Sequence, residues 1–231
     1  MKNILGIDGS KSGWVGVKQN SKQNGAHEIL FNNKLIDFLS PDIELMIIDM
    51  PVGLDKNIQQ GGRLVDKEAR KRLLKRKSSI FNAPIRDVLK AKSYNEANTI
   101  SKNKGLGISK QSWNLIPKIN ELDQILQIKI RPQIYESHPE LCFQIMNDGV
   151  LKFSKKDKLG IKERKNILIK NGFDKKFLDN NLKKNKNFHS DDFLDACALS
   201  WTAKRIINEQ NINLPEDPEK DELGIIMQMK V

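Results

Sequence analysis

The chain is 231 residues long, 38% hydrophobic and 30% charged, with a formal net charge of +11. That length carries one domain with an insertion, or two small ones, and can bury a core without disulfide or metal staples. No apolar stretch approaches the roughly 18 residues of a membrane span, and Asp8 comes too early for a secretory signal, so a cytoplasmic, membrane-free setting is expected.

The first element is Ile4-Leu5-Gly6-Ile7-Asp8-Gly9-Ser10, followed by Ser12-Gly13-Trp14-Val15-Gly16-Val17. An apolar run, Asp-Gly-Ser and an alternating run predict strand, tight turn and strand, with Asp8 at the end of the first arm. Asp-Gly is also a common turn dipeptide. The pattern gains weight because an apolar run ending in a carboxylate recurs twice downstream. A third strand is expected over residues 26–31 and a short helix over 34–39. Leu45-Met46-Ile47-Ile48 then runs into Asp49 and is closed by Met50-Pro51, a buried strand with a second acid at its end. A crossover through the short helix makes this strand parallel to the first and brings Asp8 and Asp49 to one sheet edge.

Residues 58–127 change character. Leu64, Val65, Ala69, Leu73 and Leu74 alternate with basic positions over 63–77 at helical spacing. Further helices are expected over 94–102 and 111–126, the last interrupted near Pro117. Residues 133–136 return to a strand ending at Glu136, the third acid, with His138 just beyond. A helix over 162–171, a polar loop over 179–187 and a long helix from an N-capping Ser190 complete the main body. The tail over 214–219 is extended, and 223–231 adds a last strand. Cys142 and Cys197 lie far apart in apolar surroundings and fit buried thiols, with neither a disulfide framework nor a zinc spacing.

The last helix opens with Asp191 and Asp192, which its dipole favours. Asp195 lies one turn on, on the same face, beside the small residues Ala196 and Ala198. Like charges at that spacing are best explained by a cation between them. Asp8, Asp49, Glu136, Asp192 and Asp195 are therefore the candidate metal ligands. Oxygen donors without a His or Cys cluster select Mg²⁺ or Mn²⁺, and two such ions can activate water against a phosphodiester. The charge excess agrees in sign: Arg63 to Lys77 and Lys152 to Lys176 are strongly basic runs, pointing to nucleic acid, DNA or RNA, as partner. Arg70, Arg76 and Arg86 with Ser78 and Ser79 are candidate phosphate contacts, and Gln111 and Lys118 candidate contacts to base or ribose. Trp113 reads as core.

Taken together, Gly6-Ile7-Asp8-Gly9, Asp49-Met50-Pro51-Val52-Gly53, Ser78-Ser79-Ile80-Phe81, Tyr135-Glu136-Ser137-His138-Pro139-Glu140 and Asp191-Asp192-Phe193-Leu194-Asp195-Ala196 resemble a bacterial and archaeal family described as predicted RNase H-like nucleases. The final helix is similar to that of Holliday-junction resolvases. The resemblance implies an α/β fold, an RNase H-like mixed sheet flanked by helices, with the helical block of residues 58–127 inserted after the fourth strand and a C-terminal extension over 212–231. It also implies that Asp8 bridges two metals, Asp49 holds the second, and Asp192 or Asp195 completes the site. Glu136 is a ligand or orients His138, which is a candidate proton shuttle. Two other expectations stand beside the nuclease: a nucleotide hydrolase or phosphotransferase on a related actin-like fold, and a non-catalytic nucleic-acid-binding protein.

Overall fold

The computed structural model describes residues 2–22, 26–183 and 185–231. Strands β1 (Asn3–Ser10), β2 (Gly13–Asn20) and β3 (His27–Asn32) come first, then a 3₁₀ turn at Leu35–Phe38 and β4 (Ile43–Ile48). The Asp-Gly pair does not make the hairpin turn: β1 runs on until Ser10 pairs with Gly13, and Lys11 and Ser12 form the loop. The fully buried Trp14 and Val15 keep the arms paired past Asp8.

Helix α1 (Leu64–Arg72) stops short of the predicted residue 77, because Leu73 turns extended and buries its side chain. Arg76 then adopts a left-handed conformation before a 3₁₀ turn at Lys77–Ser79. Helix α2 (Tyr94–Asn103) is capped by Ser93 and α3 (Lys110–Leu126) by Ser109. Pro117 does not interrupt α3, whose apolar stripe of Ile116, Ile119, Leu122, Ile125 and Leu126 is buried on both sides of it.

After β5 (Gln133–Glu136), Pro139 starts α4 (Pro139–Met146), a helix missing from the sequence reading although proline favours a first turn. Helix α5 (Lys158–Lys170) begins earlier than expected. Helix α6 (Lys175–Asn181) occupies the start of the predicted polar loop, capped by the Asp174 carboxylate, which accepts from Phe177 N–H at 2.6 Å. Lys184, in the same predicted loop, lies outside the described residues. Then come α7 (Ser190–Ile207), β6 (Asn213–Lys220), where only an extended tail was expected, and β7 (Ile226–Lys230).

Chain packing separates two compact units, and the first comprises residues 1–49, 130–212 and 230–231. Its strands run in the order β3-β2-β1-β4-β5. β1, β2 and β3 are antiparallel, while β4 and β5 run parallel to β1. The result is a mixed sheet in an α/β fold.

Helix α7 packs against β1, β2 and β4, and Gly6 is what lets it come close. A Cβ at Gly6 would stand 2.0 Å from Ser200 N and 2.5 Å from Ala196 O. Gln19 of β2 ties the same face, donating to Ser200 O at 2.8 Å. On the opposite face, a Cβ at Gly16 would stand 2.7 Å from the Phe38 ring and 3.1 Å from the Leu5 side chain.

The second unit comprises residues 50–129 and 213–229. Its core gathers Ile85, Val88, Ala97, Ile108 and Ile116, with Tyr94 and Trp113 packed against them, so Trp113 is a core residue. Ion pairs fix its loops. The buried Arg63 guanidinium binds the Asp66 carboxylate at 2.7 Å and donates to Gly53 O at 2.8 Å. Arg86 is clamped between Asp123 at 3.0 Å and Asp221 at 2.5 Å.

Candidate active site

Three of the predicted acids come together in the first unit, and the sheet register explains two of them. Ile7 of β1 pairs with Ile48 of β4, so Asp8 and Asp49 are the next residues on adjacent parallel strands, with Asp49 N–H donating to Ile7 O at 3.3 Å. Side chains alternate along a strand, so Asp8 shares the face of Gly6, against which α7 lies. That helix supplies Asp195 from its second turn, 1% exposed, beside an Asp8 that is 7% exposed.

Crowding and burial act in one direction on these carboxyls. Burial, then the charges of Asp195 and Asp49, push Asp8 well above the usual carboxylate range. Burial raises Asp49 to about 6, with Glu140 adding to the rise. Asp195 is also raised to about 6, by burial against the opposing pull of Lys155. The Asp195 Oδ2 accepts from Lys155 Nζ at 2.6 Å, while its Oδ1 is buried without a hydrogen-bond partner. For Lys155, burial disfavours the charge, but Asp195, Asp8 and Asp49 outweigh it and hold the ammonium protonated.

Lys155 is the member of this group that the sequence did not single out. It sat in a basic run read as pointing to a nucleic-acid partner, although a lysine in a short loop before a helix can fold inward. The loop is built by α5. The Glu163 carboxylate accepts from the backbone N–H groups of Lys152 and Phe153 at 2.9 and 3.1 Å. Gly160 allows the close approach, since a Cβ there would lie 1.7 Å from Ser154 O. Beneath the loop, the fully buried Arg164 binds Glu140 at 2.5 Å and stacks on Phe143.

The other predicted site residues lie as follows. Asp192 is half-buried and spends one oxygen on the helix start, accepting from His189 N–H at 2.9 Å; His189, not Ser190, is the N-cap. Burial and Asp191 raise its pKa, and its charge reaches Asp8 weakly. Glu136 pairs in register with Ile48, which places it on the sheet face opposite α7, away from Asp8 and Asp49. His138 is buried at the N-cap of α4, where its carbonyl accepts from Cys142 N–H.

In the second unit, Arg86 is committed to the Asp123 and Asp221 carboxylates, so its fork is turned to protein partners. Arg70 donates to Ile80 O at 2.8 Å and to Gly61 O, holding a loop. Arg70, Ser78 and Gln111 line one hollow, but Arg76, Ser79, Arg86 and Lys118 do not. Cys142, raised to about 11 by burial, and Cys197 are buried free thiols.

As the side chains stand, no group of three or more His, Cys, Asp or Glu among the described residues is arranged to hold a metal ion. At Asp195 the cation present is the Lys155 ammonium. A larger hollow of about 640 Å³ lies at the other ends of β4 and β5, lined by Ile43, Leu45 and Gln133, and holds none of the three aspartates. Among the described residues no helix is long and apolar enough to cross a membrane.

A family model described as "Protein of unknown function (DUF429)" matches residues 6–220, a span that includes all three aspartates and Lys155. The chain belongs to that family. No curated protein and no solved structure shows significant similarity to it. Family membership thus leaves the chemistry of the aspartate group to be read from its own geometry.

Proposed function

We propose that the chain is a divalent-metal-dependent nuclease, hydrolysing phosphodiester bonds of nucleic acid at Asp8, Asp49 and Asp195 on an RNase H-like fold. The observation that carries this is the convergence of Asp8 from β1, Asp49 at the end of β4 and Asp195 from α7, where Asp195 and Asp49 disfavour the charge of Asp8, Asp49 disfavours that of Asp195, and one Asp195 oxygen is left buried and unpaired. Such a group is stabilised by a cation it can coordinate, and an all-carboxylate set suits Mg²⁺ or Mn²⁺. The strand order β3-β2-β1-β4-β5, three antiparallel strands followed by two parallel ones, supports the RNase H-like reading.

The bound metal would supply Lewis-acid stabilisation and an activated water. The chain's own part is positioning. β1 and β4 fix Asp8 and Asp49 in register, and α7 fixes Asp195 at Gly6 distance from the sheet. Lys155 holds the negative group together and competes with an incoming cation for Asp195 Oδ2. Once released, its ammonium is a ready contact for a phosphate oxygen. Glu136 is not part of this centre, and Asp192 adds charge from its capping position.

The test is cleavage of labelled single-stranded and duplex DNA, RNA, RNA/DNA hybrid and a four-way junction, with Mg²⁺, Mn²⁺ or chelator. Metal-dependent cutting by the wild type that Asp8→Asn abolishes, with the fold retained, is the expected result. Cutting that persists in the variant or in chelator rejects the centre, and no cutting of any substrate rejects the nuclease.

A further inference from the structure

The second unit contains a hollow of about 460 Å³ that gathers Arg70, Ser78 and Gln111 of the expected nucleic-acid contacts into one lining. Its volume lies in the range of small-molecule sites. Its apolar part includes Ile58, Phe81 and Ile108, and its polar part includes Lys77, Ser78 and Gln111. Arg70 adds a second positive charge to the wall, and no Asp or Glu lines it. Arg70 is spent on backbone carbonyls, which fixes the wall and leaves Lys77 and Ser78, both exposed on their 3₁₀ turn, facing solvent. The floor is also set, because Ser112 Oγ donates to Asn82 O at 3.2 Å and bonds Ser109 Oγ at 2.8 Å.

A cavity that joins a half-buried aromatic and several aliphatic side chains to unopposed positive charge and a carboxamide fits a ligand with a flat apolar body, an anionic end and hydrogen-bonding edges. We propose that this hollow binds one nucleotide unit: the base lies against Phe81, Ile58 and Ile108 within reach of Gln111, and the phosphate sits on Lys77 and Ser78. A carboxamide can both donate to and accept from a base edge, and a flat ring on Phe81 gains stacking energy. The unit is either a free nucleotide or one residue of a strand. The proposal does not depend on the aspartate centre.

The test is titration calorimetry on the full chain in chelator at low salt, using nucleoside 5′-monophosphates, the matching nucleosides, inorganic phosphate and a short single-stranded oligonucleotide. The mononucleotide should bind at least about tenfold tighter than either phosphate or nucleoside alone, because both halves of the site contribute. Lys77→Ala and Gln111→Leu, at exposed positions, should each weaken binding about tenfold while thermal unfolding stays unchanged. Asp8→Asn should bind as the wild type does. An oligonucleotide that outbinds the mononucleotide and is displaced by it assigns the site to a strand, and the reverse order assigns it to a free nucleotide. Phosphate binding as tightly as the nucleotide, both variants binding normally, or no binding at all would overturn the proposal. So would an oligonucleotide that the mononucleotide fails to displace and Lys77→Ala leaves bound, since that is attraction to the basic surface at large.

Discussion

Lys155 and Asp195 form a contact in which one partner is almost fully buried and the other partly open, with side-chain exposures of 1% and 36%. Removing the cation strands the carboxylate, so Lys155→Met should destabilise the metal-free protein by about 2 kcal/mol, less than a fully buried pair because solvent reaches the lysine. Lys155→Met combined with Asp195→Asn should recover most of that loss, which a double-mutant cycle in urea measures; a purely additive pair would mean the contact contributes little. The pH dependence follows from Asp49. Its folded pKa of about 6 lies above the ordinary value of 3.8, so the folded state holds a proton that the unfolded state releases. That stability is fully present below about pH 4 and is lost as pH rises through 6. Asp49→Asn should therefore be more stable than the wild type above pH 6, by about 2 kcal/mol, and equal to it near pH 4. Thermal unfolding across that window without metal checks the sign, and a variant less stable at pH 8 would contradict it.

At the scale of elements, α7 and β1 do most to place the centre, and their contact depends on one missing side chain. Gly6→Ala would drive a methyl into the α7 backbone, which cannot rotate away as a side chain could. Overpacking of this kind costs about 1–3 kcal/mol, with the higher end expected here. Because α7 carries Asp195, the same change should disturb Mg²⁺ response more than Gly224→Ala, where an added methyl meets nothing within 4 Å and the cost is only the left-handed φ of 77°. Mg²⁺-dependent shifts in melting temperature for the two variants test this, and equal responses would separate the α7 contact from the site. Much of this arrangement was legible in the sequence. Apolar runs ending in Asp8 and Asp49 mark parallel strands, and Asp195 beside Ala196 and Ala198 marks a helix that approaches a sheet. Glu136 shows where that reading stops: residue order cannot tell a strand-end acid on one face from its neighbour on the other, and the pairing with Ile48 decides it. Lys155 was hidden for a related reason, since its inward turn depends on Gly160 and Glu163, which become its neighbours only when α5 folds.

For the molecule as a whole, the net charge of +11 overstates what an anionic partner would feel. Arg164 is fully buried on Glu140, Lys155 is engaged with Asp195, and Lys165 bonds Asp179, all within one basic run. In the other run, Arg63 is buried on Asp66, and Arg70 is spent on two carbonyls. What remains at the surface includes Lys156, Lys158 and Lys162, exposed around the start of α5. Each lysine that neutralises a phosphate releases counterions and adds close to one unit to the slope of log affinity against log salt. Reversing Lys158 and Lys162 together to Glu should therefore lower nucleic-acid affinity and flatten that slope by about two units, while leaving the melting temperature nearly unchanged. Arg164→Gln should behave oppositely, unfolding the chain at lower temperature because it leaves Glu140 buried without its cation. Anisotropy titrations between about 50 and 200 mM salt distinguish the two, since an affinity set by surface lysines falls steeply over that range. A flat affinity, or a double reversal that binds as the wild type does, would mean that these surface lysines do not contact phosphate.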